Sequence, residues 1–509
     1  LEIKVEQGGI QTVTADAIIV NLFKGVTEPG GATGVVNQAL GGAIGELIAG
    51  ADLRGKLGET AVLYPRGAIP ARRVIVVGLG EADKFNLEAV REASGVAIKQ
   101  AKKIGAANVA TIVHGGGIGG LDLAEAAQAV IEGSMLALYE YDAPRAKKEN
   151  DDKTQIGSLV LVEFDETKIG QVEAGAQNGQ AIAEAVYLAR TLVNQPSNTA
   201  TPTAIAEAAQ TMCAEVGLTC RILEEAEMRE EKMGALLAVT QGAAEPAKFI
   251  IMEHKPAQVA DSKAGPVVLV GKGVAFDTGG YSLKPAASMV GMKGDMGGAA
   301  AVIGAMQAVG RLNLPLHVVG LVPTVENVVS ATSYKPNDVF IAKNGLSIEI
   351  ISTDAEGRLI LADALCYADT LNPAAVIDVA TLTGGKMIAL GSRTEALFVT
   401  DDQLCEKLLA AGQKSGEPLW RMPLDPAYDR QLKSEVADLK NTGGRYASAV
   451  TAARFLAHFT ADWPWAHIDI AGSALHEGGP EYTSRSYVTK GGTGVPLRTL
   501  VEYLRNLVK

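Results

Sequence analysis

Apolar residues fall in short runs separated by polar turns, and their spacing alternates along the chain. Asp16–Leu22, Arg73–Val77, Asn108–Val113 and Gly157–Glu163 are compact runs of strand length. Between them, Thr33–Ala49, Asn86–Ile104 and Leu123–Tyr139 carry apolar residues at helical spacing. Alternation of this kind predicts an α/β layer with a largely parallel sheet, because each parallel crossover needs a covering helix. Pro144–Lys153 is hydrophilic and of mixed charge, which reads as a solvated loop. From Thr167 to Asn194 few breakers occur before Pro196, so one long helix is expected there as a connector.

The same grammar then resumes. Pro266–Val270, Leu316–Leu321, Ser347–Ile351 and Ala374–Val379 read as strands, and Ala204–Val216, Gly298–Leu312, Leu359–Thr370 and Ala447–Phe459 as helices. The pattern predicts an N-terminal α/β domain over 1–167, a linker helix over 168–195 and a second domain over 196–509. No short repeat and no low-complexity tract interrupts it. The start, Leu1-Glu2-Ile3-Lys4-Val5, is charged and strand-like rather than a secretory leader, and no apolar run is long enough for a transmembrane span.

Composition narrows the class. The 509 residues allow two to four domains, and 47% apolar with 20% charged residues is a soluble globular balance. A net charge of −12 argues against a dedicated nucleic-acid binder. The 57 glycines point to many tight loops. Four scattered cysteines without a C-x-x-C exclude a disulfide framework and a thiolate zinc site, and fit a reducing compartment.

Two stretches carry the chemistry. In Val270–Ala300, Lys272, Asp277, Lys284, Lys293 and Asp295 stand among glycines after a strand that ends near Val270. That places them on loops at the carboxyl edge of the sheet, where open α/β folds bind ligands. The P-loop order is absent, so phosphate cradling is disfavoured. In Ser352–Leu361, Asp354 and Glu356 are two apart, so in extended chain they leave the same face and repel unless a cation separates them. Arg358 follows near a helix start, suited to an anion. A bland reading makes Asp354 and Glu356 an N-cap and a first-turn acid. Together Asp277, Asp295, Asp354 and Glu356 could form an oxygen-rich two-metal site, which suits Mg²⁺ or Mn²⁺ and which Zn²⁺ also accepts. The six histidines form no H-E-x-x-H and read as structural. Gly78-Leu79-Gly80 lacks the third glycine of a dinucleotide fingerprint, and Gly115–Gly120 reads as a loop.

These stretches resemble the signatures of the leucine aminopeptidase (cytosol aminopeptidase) family. The family string N-T-D-A-E-G-R-L appears as S-T-D-A-E-G-R-L from Ser352 to Leu359, and V-G-K-G-x-x-F-D-[ST]-G-G and M-K-x-D-M-x-G-A-A start at Val270 and Met292. ATLTG (Ala380–Gly384), DLKNTGGR (Asp438–Arg445), AHIDIAG (Ala466–Gly472) and MGALLAVTQGA (Met233–Ala243) follow the same family pattern. The resemblance implies a smaller N-terminal α/β domain and a larger C-terminal catalytic α/β domain with a central mixed sheet. It implies two divalent ions (Zn²⁺ or Mn²⁺, with Mg²⁺ a further candidate) on Lys272, Asp277, Asp295, Asp354 and Glu356. Asp277 and Glu356 would bridge both, with Lys272 and Asp295 on one ion and Asp354 on the other.

By the same resemblance, Lys284 would stabilise an oxyanion and Arg358 would hold a bicarbonate. Thr381, Leu382 and Gly384 would contact the substrate backbone, and Met292 would line the side-chain pocket. The implied protein is a cytoplasmic homohexamer that removes N-terminal, leucine-like residues from peptides, with no membrane partner. The rival readings are another two-metal hydrolase, such as a phosphoesterase, and a DNA-binding or regulatory role on the same scaffold. The chain departs from the family at Ser352, at Gly385-Lys386-Met387 and at Tyr446-Ala447-Ser448.

Overall fold

The computed structural model describes residues 1–117, 119–145, 155–257, 265–479 and 485–508. Most of the hydrophilic stretch Pro144–Lys153 therefore lies outside the described residues. The chain divides into two compact units, Leu1–Glu184 with Ser484–Thr489, and Ala185–Thr483 with Lys490–Lys509.

The first unit contains β1 (Glu2–Gln7), β2 (Ala17–Phe23), α1 (Gly31–Ala39), α2 (Ala43–Ala49), β3 (Thr60–Leu63), β4 (Val74–Gly80), α3 (Leu87–Lys103), β5 (Asn108–Ile112), α4 (Leu123–Leu138) and β6 (Ser158–Glu163). Its sheet has the order β1-β6-β5-β2-β4-β3, and every neighbouring pair is parallel except β3 with β4. β2 and β4 bury nearly every side chain, as parallel strands covered on both faces must. The side chains of Asn86 and Asp122 cap α3 and α4 by accepting from Ala89 N and Glu125 N. The expected helix Thr33–Ala49 is two helices, because Gly41 and Gly42 turn the chain through φ +66° and +94°, which breaks the hydrogen-bond ladder.

Helix α5 (Ile169–Asn194) runs without interruption. The second unit continues with α6 (Pro202–Val216), β7 (Thr219–Leu223), α7 (Glu225–Glu230), α8 (Gly234–Thr240), β8 (Lys248–His254), β9 (Val267–Gly271), β10 (Gly273–Asp277), α9 (Ala286–Met289), α10 (Gly297–Arg311), β11 (Val318–Asn327), β12 (Val339–Ile341) and β13 (Ser347–Glu349). It ends with α11 (Gly357–Asp369), β14 (Ala375–Ala380), α12 (Gly384–Leu390), β15 (Glu395–Val399), α13 (Asp402–Ser415), β16 (Leu419–Arg421), β17 (Leu439–Lys440), α14 (Ser448–Ala457), β18 (Trp465–Asp469) and, beyond a two-residue hairpin pair, α15 (Leu497–Asn506).

Its main sheet is mixed and nine-stranded, in the order β16-β15-β18-β14-β9-β11-β8-β7, with β10 also on β11. The middle strands β18, β14, β9 and β11 are parallel, whereas β8, β7 and β15 pair antiparallel. The carboxyl ends of β9, β14 and β18 thus share one edge, and the loops that leave them meet there. A separate three-stranded sheet joins β12, β13 and β17. The core under the main sheet gathers Val268, Val270, Leu321, Leu359, Leu361 and Trp465, all fully buried. Among the described residues no helix is long and apolar enough to cross a membrane.

Candidate metal centre

The chain does not simply turn into a loop after β9. Lys272 sits at a kink, and the chain continues as β10, which pairs with β11 and ends at Asp277. Lys272 and Asp277 are therefore held by strands on either side rather than by free loop. The Lys272 side chain is buried, and its Nζ lies 2.9 Å from Asp295 Oδ1, Glu356 Oε1 and the Thr381 carbonyl. Gly357 makes this possible: a Cβ there would stand 2.5 Å from Lys272 Cε. Burial works against the ammonium, but the charges of Asp295, Glu356 and Asp277 outweigh it and raise the Lys272 pKa above its ordinary value.

Asp295 lies on a short 3₁₀ turn, Met292–Met296, that runs into α10. Its Oδ1 accepts from Lys272 Nζ and from Thr381 Oγ1 at 2.7 Å, while its Oδ2 is buried without a hydrogen-bond partner. Burial, reinforced by Glu356 and Asp277 and opposed by Lys272, pushes the Asp295 carboxyl well above the carboxylate range. Burial also raises Asp277, with Glu356 adding to it against Lys284 and Lys272. Asp277 Oδ1 accepts from Asn327 Nδ2 and Gly279 N, each at 2.8 Å, and its Oδ2 faces Lys284 Nζ at 2.8 Å.

The expected extended Asp354–Glu356 geometry is not what forms. Glu356 has helical dihedrals at the start of α11, and the preceding residues turn. Glu356 consequently points into the interior, 1% exposed, while Asp354 stays at the surface and pairs with Lys284. Carboxylate oxygens of Asp277, Asp354 and Glu356 still come within 4.8 Å of one another. Like Asp295 Oδ2, Glu356 Oε2 is buried without a hydrogen-bond partner. Such oxygens are costly unless something positive meets them.

Lys284 is carried by a tight turn after β10. Gly279 has φ +85°, and a Cβ there would meet Ser282 O at 2.5 Å and Asp354 Oδ1 at 2.9 Å. Arg358 is buried on α11, where its guanidinium donates to the Asn441 carbonyl at 2.7 Å and its Nε has no hydrogen-bond partner. Burial lowers its pKa to about 10, against the charges of Glu356, Asp469 and Asp354. A cavity of about 670 Å³ opens on these groups and is lined by Lys272, Asp277, Lys284, Asp295, Asp354 and Glu356. Thr381, Leu382, Gly384, Met292, Met387 and Leu475 are among the other residues of its wall. The Leu382 N–H is already given to Asp469 Oδ1 at 3.0 Å, and its side chain packs against the core of the unit. A smaller cavity of about 380 Å³ in the first unit, lined by Phe23, Val113 and Gly117 among others, has Glu28 and Glu163 on its wall but no group of three clustered acids among the described residues.

Ten of the eleven expected site residues line the large cavity; the eleventh, Arg358, is not on its wall and sits in the first turn of α11, two residues after Glu356. Sequence reasoning missed the residues that hold them. Asn327 joins Asp277 to the Thr353 carbonyl, and Asn441 joins Ile351, Ser352 and Arg358. Asp469 accepts from Leu382, Thr383 and Ala471. The strings DLKNTGGR and AHIDIAG contained two of these residues, but spacing alone gives no hint that they reach across the fold. None of the described histidines joins the acidic group: His254 bonds the Leu314 carbonyl, His317 bonds Glu253, and His467 bonds Asp378.

The second unit thus sets a buried, carboxylate-rich centre at one edge of a mixed α/β sheet. Comparison with known proteins identifies the family. Residues 187–501 match the cytosol aminopeptidase family catalytic domain, and residues 19–148 match that family's N-terminal domain. The chain belongs to the cytosol aminopeptidase family. It is 44% identical to a probable cytosol aminopeptidase of Syntrophotalea carbinolica, over 92% of this chain and 93% of that one. It is 37% identical over the full length of both chains to one from Alkaliphilus metalliredigens. Among solved structures, a tomato leucine aminopeptidase variant superposes with a TM-score of 0.86 at 30% identity, over 99% of this chain and 96% of that one. The bottromycin maturation enzyme BotP in complex with Mn gives 0.83 at 36% identity, over 97% and 100%.

Proposed function

We propose that the protein removes N-terminal residues, leucine-like ones preferred, from peptides with the aid of two divalent ions per subunit, Zn²⁺ or Mn²⁺. The observation that carries this reading is the pair of buried oxygens without hydrogen-bond partners, Asp295 Oδ2 and Glu356 Oε2, inside a surplus of carboxylates. That donor set fits hard or borderline divalent cations. Lys272, Asp277, Asp295, Asp354 and Glu356 would hold them. Bound there, the ions would supply Lewis-acid polarisation and lower the pKa of water.

The protein's own groups account for the rest. Lys272 can act as a ligand only as the neutral amine, so it must give up a proton and its ion pairs with Asp295 and Glu356. Lys284, held at the cavity by Asp277 and Asp354, presents a fixed cation to an oxyanion that develops on the substrate. Arg358 would hold a bicarbonate through the edge of its guanidinium not committed to Asn441. Thr381, Leu382 and Gly384 would align the substrate backbone, and Met292 would receive its side chain. The same reading makes the protein a cytoplasmic homohexamer that acts on peptides, which sedimentation would check.

The deciding assay is hydrolysis of leucine 4-nitroanilide by metal-stripped protein, by protein with Mn²⁺ or Zn²⁺ restored, and by Glu356→Ala. Metal-dependent release that the variant lacks is expected. No release by folded, loaded protein on this or on leucyl peptides would overturn the reading.

A further inference from the structure

Gly384 and Met387 of α12 line the large cavity. Between them stands Lys386, which is fully buried. Its ammonium reaches three oxygens: Ser473 Oγ at 2.5 Å, Glu395 Oε2 at 2.9 Å and the Gly391 carbonyl at 3.1 Å. Gly391 closes the C-terminal end of α12. At the other end, the Lys386 backbone N–H donates to Thr383 Oγ1 at 3.2 Å, and the Thr383 hydroxyl donates to Asp469 Oδ2 at 2.6 Å. Asp469 and Ser473 belong to the same short segment that leaves β18. Within it, Gly472 has φ +78°, and a Cβ there would lie 2.7 Å from Met387 Cγ. One segment therefore straps α12 twice and also forms the surface on which the Met387 side chain rests.

We propose that Lys386 is a positioning residue for substrate selection. It fixes α12 against the segment 469–473 and so sets how far Met387 reaches into the cavity that receives the substrate's first side chain. This rests on the aminopeptidase reading above. A long, fully bonded cation beneath a cavity wall leaves that wall little play, and a methionine on a fixed wall discriminates by length, whereas on a loose wall it adapts.

The test compares kcat/KM for the 4-nitroanilides of alanine, leucine, methionine and phenylalanine in Mn²⁺-loaded protein. Met387→Ala reads the wall directly. Lys386→Met with Glu395→Gln removes the strap without leaving one buried charge behind, and Thr383→Val releases the other strap with no charge change. The phenylalanine-to-leucine ratio is expected to shift by about five-fold or more in all three. The alanine substrate, too short to reach the wall, should change by less than about two-fold. A common fall for all four substrates in folded strap variants would mean that Lys386 only supports the fold. So would a ratio that moves in Met387→Ala but in neither strap variant. Wild-type protein inactive on all four substrates would overturn the aminopeptidase reading, and this inference with it.

Discussion

Two of the regions in which the protein buries charge are built to opposite rules. In the first unit, Arg91 Nε pairs with Glu132 Oε2 at 2.6 Å, and Gln128 Nε2 donates to Glu132 Oε1 at 2.6 Å. Glu88 approaches the same arginine at 3.5 Å. Both oxygens of the buried carboxylate have donors. In the second unit, Asp277, Asp295, Asp354 and Glu356 share Lys272 and Lys284, and two buried oxygens have no hydrogen-bond partner. The first arrangement is complete in the protein alone. The second leaves two carboxylate oxygens unmet by the protein's own donors, and that difference marks it as the candidate site rather than a structural network.

The largest effect that would break this contrast is on catalysis. Glu356→Ala should lower kcat/KM for leucine 4-nitroanilide by at least about 1,000-fold, or roughly 4 kcal/mol of transition-state stabilisation. Its far-UV circular dichroism should stay unchanged. A variant with near wild-type turnover would remove Glu356 from the site. On the other side of the comparison, Arg91→Met strands Glu132, which is 1% exposed. Breaking such a pair costs about 3–5 kcal/mol. The loss should appear as faster hydrogen exchange in α3 and α4, with kcat per folded molecule retained. Unchanged exchange would mean that the network contributes little.

The site was far more legible in the sequence than the structure that supports it. Eight of its eleven candidate residues fall in two strings and the other three in Thr381–Gly384, so each string is legible as a unit. The middle of the fold was legible for a related reason: largely apolar strands such as β2, β9 and β14 admit no competing pattern. What stayed hidden depends on contacts distant in sequence. The strand β10 exists because Gly273–Asp277 pairs with β11, some fifty residues on, and nothing local distinguishes it from a loop. The break between α1 and α2 turns on two glycines inside a helical pattern. The turn that sends Glu356 inward is held by Asn327 and Asn441, from segments 26 and 89 residues distant from their Thr353 and Ser352 partners. Short-range periodicity does not report such partners.

Acid sharpens the comparison through the first unit. His114 is buried, and desolvation drives its pKa from 6.5 down to about 4. The unfolded chain therefore binds a proton that the folded unit refuses. Its contribution to stability is fully present above pH 6.5 and is lost as pH falls toward 4, to a total of about 3 kcal/mol. Hydrogen exchange in β5 should accelerate between pH 7 and 5, after correction for intrinsic rates, and His114→Gln should flatten that dependence. A wild-type profile as flat as the variant's would show that His114 gains a proton without unfolding.

The smallest effect is the most diagnostic, because its sign differs between the two rules. Asp295→Asn keeps Oδ1 for Lys272 and Thr381 and removes a negative charge whose second oxygen has no hydrogen-bond partner. Lys272 still faces Glu356 and Asp277. In metal-stripped protein the substitution should raise stability by about 1 kcal/mol, the size of gain expected when a functional site is relieved of strain. The pH dependence should run opposite to that of His114. A carboxyl with a raised folded pKa binds its proton more tightly when folded, so stripped wild-type protein gains stability at this site as pH falls through that raised value toward the unfolded value near 3.8. The variant should lose that gain, and it should also bind Mn²⁺ more weakly by calorimetry. If Asp295→Asn instead destabilises the stripped protein, then Asp295 obeys the rule of Glu132. Its buried charge would belong to the fold, and the contrast between the two regions would rest on Asp277, Asp354 and Glu356 alone.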